Sequence, residues 1–203
     1  MGRALRKRDH VFINLAFDPD YEWLYLALIV GLSSLGFIPR SVLQAPAEGQ
    51  ARLKRIRRVL RECGSSVHDL SCVKLSNKAP RFNMPFELGL AAEMKLADNR
   101  YHWFVMEARR YRLQKSLSDL NGHDPLIHEG KPIGVLRALR NAFRTQRTPP
   151  RLEELLKIHK EFSKAAKKLK AAEHGASLFD RNMFDELVAL AMGVAARALG
   201  SRA

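Results

Sequence analysis

Apolar and polar positions along the first two-thirds of the chain switch between two periods. Short runs rich in β-branched and aromatic residues, His10–Leu15, Phe37–Leu43, Ser65–Leu70 and Tyr101–Glu107, read as strands. Between them lie runs with helical spacing, Tyr21–Leu35, Gln50–Glu62 and Pro85–Ala97, followed by Arg110–Leu120 and Pro132–Arg144. Leu126–His128 is a weak fifth strand. Asp18-Pro19-Asp20 offers a cap and a helix-start proline to the first helix, and Gly36 stops it. Pro39 has no N–H for a sheet ladder, so it puts the second strand at an edge. Strands alternating with helices predict βαβ units. The expected fold is therefore α/β, with a doubly wound parallel sheet of about five strands and helices on both faces.

Thr148-Pro149-Pro150 breaks the alternation, and beyond it the pattern is purely helical. Leu152, Leu155, Leu156, Phe162, Ala166 and Leu169 form one apolar stripe, with Lys160, Lys164, Lys167, Lys168 and Lys170 largely off it. After Gly175, a second helix puts Phe184, Leu187, Val188, Ala191, Val194, Ala195 and Ala198 on one face. The division expected is an α/β domain over 1–147 and a helical hairpin over 148–203. That hairpin packs on the α/β body, or against a second copy or a partner protein.

Composition narrows the classes. The 203 residues are 46% hydrophobic and 28% charged, which is ordinary for a packed domain. The longest apolar stretch, Trp23–Leu35, is too short to span a bilayer and no signal-peptide pattern opens the chain, so no membrane partner is expected. Two cysteines, Cys63 and Cys72, make no disulfide framework, and a cytoplasmic location is the expectation. Cys63, His68 and Cys72 have poor spacing for a zinc site, so no metal is expected.

The net charge of +14 points to an anionic partner. It is spread along the chain, with sixteen basic and ten acidic side chains in residues 1–100 and nineteen and eleven in 101–203. Its densest cluster, Arg52, Lys54, Arg55, Arg57, Arg58 and Arg61, shares a helix with Leu53, Ile56, Val59 and Leu60. Two readings stand: a solvated helix face or an anion-binding surface. Lys74, Lys78 and Arg81 lie just ahead of the candidate site described next, a local pattern that suits a small phosphorylated ligand better than a polymer.

In a doubly wound sheet, ligands bind beyond the carboxyl ends of the strands at the topological switch point. The segments after the first and third strands therefore hold the candidates. Asp69 and Ser71 end the third strand, Asn83 is placed to cap the next helix, and Glu87 follows one turn in. The helix dipole favours the ionised form of an acid near a helix N-terminus. An ionised Glu87 in this cleft suits a nucleophile or a stabiliser of a sugar cation. Arg40, ending the second strand, is a candidate phosphate contact. Asn121-Gly122-His123 reads as a turn that ends a helix or brings a histidine over the cleft. There is no Gly-rich phosphate loop, no HExxH and no serine elbow.

The order Asp69, loop, then Glu87-Leu88-Gly89-Leu90-Ala91 with Lys95 shortly after resembles the nucleoside 2-deoxyribosyltransferase family, whose wider group includes TIR-like domains. Val11–Asp18, Ser66–Ser71 and Phe82–Gly89 are similar to a bacterial branch of that group, and the likeness covers about residues 9–145. It implies a flavodoxin-like sheet and cleavage of an N-glycosidic bond in a nucleotide or NAD, as substrate or ligand rather than as a bound cofactor. It also implies a place in bacterial defence or signalling.

By the same resemblance Glu87 is the catalytic carboxylate, and Asp69 holds the base or orients Glu87. Asn14, Asp18 and Asn83 line the pocket with Ser71 nearby, and Phe17, Phe82 or Phe86 offers a stacking surface. Arg81 and its basic neighbours in the loop 72–84 depart from the acidic, glycine-rich loop of the transferases and favour a phosphorylated substrate. The Trp and Cys that precede the glutamate in other TIR domains are absent. A nucleotide-sensing module without turnover and a nucleic-acid-binding protein remain the alternatives.

Overall fold

The computed structural model describes residues 6–45, 51–72, 81–143, 149–173 and 176–200. Gln50, Lys74, Lys78, Arg144, Thr148 and Gly175, which carry expectations above, lie outside them.

The chain opens with β1 (His10–Asn14) and passes through a 3₁₀ turn, Pro19–Tyr21, into α1 (Glu22–Ser34). It continues through β2 (Ile38–Arg40), α2 (Arg52–Glu62), β3 (Ser65–Asp69), α3 (Asn83–Ala97), β4 (His102–Glu107), α4 (Arg112–Ser116), β5 (Leu126–Ile127) and α5 (Pro132–Ala142). Two long helices follow, α6 (Leu152–Ala172) and α7 (Arg181–Gly200). All strand pairings are parallel, in the order β2-β1-β3-β4-β5, the flavodoxin-like arrangement. The expected second strand is shorter, because Val42–Gln44 turns into a 3₁₀ helix capped by the Ser41 hydroxyl.

Strand alternation sorts the core. Val11 and Ile13 of β1, Val67 of β3 and Met106 of β4 face the α1 and α5 side, within the largest apolar cluster. Phe12, between Val11 and Ile13, faces α2 and the middle of α3, with Ile56, Val59, Leu60 and Ala91. Leu70, Met84, Leu88, Val105 and Leu113 form a third cluster under α3 and α4.

The first helix is apolar all round, and every residue from Leu24 to Ser34 is buried. A helix of that composition needs cover on both sides, one more than a sheet provides. The extension supplies the second side: α6 and α7 pack on α1, and α6 also on α5. The largest core cluster runs through both parts of the chain, from Val11 to Ala195. Lys170 donates to Glu22 at 2.6 Å and Gln44 to Asp185 at 2.7 Å, which ties the extension's rim to the body. Within α6 and α7 only Met192 is a large exposed apolar side chain among the described residues. No described helix is long and apolar enough to cross a membrane.

Candidate functional site

A cleft of about 420 Å³ opens at the carboxyl end of β1, where the strand order reverses between β1 and β3. Asn14 to Phe17 form its floor, and Arg81 to Met84 with Glu87 form the α3 wall. Arg52 closes it from the start of α2. Of the residues singled out in the sequence, Asn14, Phe17, Arg81, Phe82, Asn83 and Glu87 line this cleft.

Glu87 is 4% exposed, yet no hydrogen bond among the described residues satisfies its carboxyl. Its nearest cation is Arg52, 3.9 Å away and itself half exposed. Burial pushes the carboxyl up from its ordinary 4.5 to about 7, and Arg52 offsets only part of that. Burial thus opposes the helix dipole, which was expected to favour the ionised form of Glu87. The helix begins two residues earlier than expected, with Phe82 rather than Asn83 in the cap position and no side-chain cap. Glu87 therefore sits in the second turn, past the free N–H groups, and desolvation dominates.

Asn14 is held firmly. Its amide nitrogen donates to His68 Nδ1 at 3.0 Å and to the Met84 carbonyl at 3.1 Å, which joins β1 and β3 to the start of α3. Since His68 Nδ1 accepts, its Nε2 carries the proton and donates to Ser66 Oγ at 2.8 Å. Full burial lowers the His68 pKa to about 3, so this ring stays neutral. Arg81 pairs with Asp18 at 2.7 Å, and Asp18 also accepts from the Asp20 N–H. This fixes the β1–α1 loop against α3. Phe82 and Phe86 are 69% and 55% exposed, with Phe82 on the cleft and Phe86 one turn further along α3.

Asp69 departs from the expected role. It is the residue after His68, so the pleat aims it at the opposite face of the sheet, away from α3 and Glu87. There Asp69 Oδ1 accepts from the Ser71 N–H at 3.0 Å and from the Ser71 hydroxyl, and Oδ2 accepts from His128 Nε2 at 3.0 Å. The Gly130 N–H donates to His128 Nδ1, which leaves the ring's proton on Nε2. Ser71 Oγ also lies 3.1 Å from that Nε2. In a hydrolytic Ser-His-Asp triad the acid and the serine use different ring nitrogens. Here both meet the same one, and all three side chains are buried. The cluster is a knot tying the end of β3 to the β5–α5 loop, and Trp23 of α1 packs against the His128 ring.

Three other candidates also lie elsewhere. Arg40 is engaged by Glu62 at 3.0 Å, Gln44 at 2.8 Å and His10 at 3.3 Å, so its guanidinium serves the edge of the sheet. Ser71 belongs to the Asp69 knot, and His123 stacks on Trp103. Cys63 and Cys72 are buried in separate apolar clusters, and no potential metal-binding cluster occurs among the described residues.

Sequence reasoning missed His128 and the pair of buried Glu107 with half-buried Arg112, in which Arg112 donates to Glu107 at 2.7 and 3.0 Å and to the Leu70 carbonyl at 2.6 Å. Nothing local signals the His128 partnership, which reaches back 59 residues to Asp69, whereas Glu107 and Arg112 lie five residues apart. Arg52 had a visible signal, the basic helix, but not its place at the cleft. Compared with known proteins, the chain matches no family model and no curated protein.

Proposed function

We propose that this protein cleaves the N-glycosidic bond of a nucleotide or NAD, with Glu87 as the catalytic carboxylate. The observation that carries the reading is Glu87 itself: a carboxyl only 4% exposed, with no hydrogen-bond partner among the described residues, lining a switch-point cleft. Such a group costs stability, and function is the usual reason a chain keeps one. Ionised, it attacks the anomeric carbon while the C–N bond breaks and its electron pair leaves with the base. Water then hydrolyses the glycosyl ester. In the electrostatic variant it stabilises the sugar cation that water captures. Arg52 and Arg81 bring positive charge to the same cleft for a phosphate, and Phe17 and Phe82 offer ring faces to a base. Asp69, by its bonds, is a structural anchor in this reading rather than a participant.

A second reading, a sensor that binds without turnover, is favoured by one contact. Phe179, in the connection between α6 and α7, packs 5.6 Å from Phe17 of the cleft floor, which gives a ligand a route to the extension. Incubating the protein with NAD and a nucleotide panel, with free base followed by chromatography and binding by calorimetry, separates the two. Release of base that is lost in Glu87→Gln supports the enzyme. Binding without release supports the sensor, and neither binding nor release removes both.

A further inference from the structure

The outer surface of the helix layer that carries Glu87 has a charge pattern the cleft does not use. Lys54, Arg57, Arg58 and Arg61 of α2 follow i, i+3, i+4, i+7 and are all exposed on one face. None of the four forms an ion pair among the described residues. Glu62 is engaged by Arg40 and Glu87 by Arg52. The stripe is about 10 Å long at 1.5 Å per residue. Its four cations can neutralise about three phosphates of a strand running beside it. On the adjacent helix of the same layer, Phe82 and Phe86 stand one turn apart with their rings 69% and 55% exposed.

We infer that this face binds single-stranded nucleic acid, with the α2 stripe on the phosphates and the Phe82 and Phe86 rings under the bases. Cations that track a backbone beside exposed rings form the usual platform for a single strand. Duplex reading is disfavoured because unstacked bases are what two exposed rings can use. A bilayer is disfavoured because Ile56, Val59 and Leu60, the apolar side of α2, are buried against the sheet, which leaves Leu53 as the one large exposed apolar side chain of this helix among the described residues. The surface is independent of the chemistry proposed for Glu87, and it puts a strand beside the cleft mouth, where Phe82 belongs to both.

The test is fluorescence anisotropy of a labelled oligothymidylate of about a dozen residues, titrated across salt concentrations. The wild type is expected to bind with a log–log salt slope of about −2. Replacing Lys54, Arg57, Arg58 and Arg61 together with Gln should flatten that slope and weaken binding at low salt. Phe82→Ala and Phe86→Ala should each weaken binding about 5- to 100-fold with the slope unchanged.

A charge-matched control replaces Lys160, Lys164, Lys167 and Lys168 of α6, across the sheet from α2, and should bind like wild type. Glu87→Gln should bind the strand normally whatever it does to turnover, which keeps this inference separate from the proposed chemistry. Thermal unfolding confirms that each variant is folded, and the phenylalanine variants carry the test if the α2 variant is not. Three results would overturn the inference: no binding by the wild type, equal loss from the α6 variant, or anionic phosphatidylserine vesicles binding as tightly with the same dependence on the α2 charges.

Discussion

The placement of Glu87 makes a prediction that needs no substrate. Its carboxyl titrates near 4.5 in the unfolded chain and near 7 in the fold, with burial as the main cause. A group whose pKa is raised by folding holds its proton more tightly in the native state. Its contribution is therefore intact below pH 4.5 and is lost progressively between pH 4.5 and 7, with no further loss above that. One pKa unit is worth about 1.4 kcal/mol, so the loss reaches about 3 kcal/mol at pH 8.5.

Glutamine fills the same space without titrating. Urea unfolding of the wild type and Glu87→Gln at pH 4 and pH 8.5 reads the difference directly. The glutamine variant should gain about 3 kcal/mol relative to wild type between the two pH values. A pH-independent difference would show that Glu87 ionises freely in the fold and is not a desolvated group awaiting a ligand.

Three further perturbations test the surroundings. Asp69→Ala strands the Ser71 and His128 donors in a dry interior and should cost about 3–5 kcal/mol in urea unfolding; a loss below ~1 kcal/mol would show that the knot does not hold the β5–α5 loop. Arg52→Gln removes the cation 3.9 Å from Glu87, so the Glu87 pKa should rise further. A nucleotide phosphate should then bind about tenfold more weakly by calorimetry, and unchanged affinity would take Arg52 out of the ligand site. Gly134→Ala would place a Cβ 2.0 Å from the His128 carbonyl oxygen, backbone that cannot give way. It should cost about 3 kcal/mol or more in urea unfolding, and wild-type stability would show that α5 does not pack as closely on the His128 turn as described.

The layer order was legible because its signals are local. Periodicity located the strands and helices, and Pro39 put the short β2 at the sheet edge, where it pairs only with β1. Trp23–Leu35 was visible as the longest apolar stretch but was weighed only against a membrane span; α6 and α7 supply the cover it takes beyond the sheet. The cleft was half legible. The switch-point rule led to Glu87 in the helix after the third strand, the basic loop ahead of it led to Arg81, and the family resemblance supplied Asn14 and Phe82.

Asp69 was misread for a reason of geometry. A one-residue step along a strand reverses the face, and only the observed partners show that His68, not Asp69, points towards α3. Arg40 was misread for a similar reason. The end of β2 lies beyond β1 from the cleft, and Glu62, Gln44 and His10 surround its guanidinium. Glu87 itself was found by order of residues, but its protonation was not. Whether dipole or burial dominates depends on one turn of helix, and that turn is set by where α3 starts.

The role proposed for Glu87 is tested most directly by the rate of free-base release by wild type and Glu87→Gln from whichever nucleotide the wild type cleaves. A catalytic carboxylate should give a drop on the order of 10²–10⁴-fold, with the variant folded and still binding the nucleotide. The wild-type rate should rise with pH through about 7, as the buried carboxyl ionises. A variant that keeps the full rate, or a wild type that binds nucleotides and releases no base from any of them, would contradict that role.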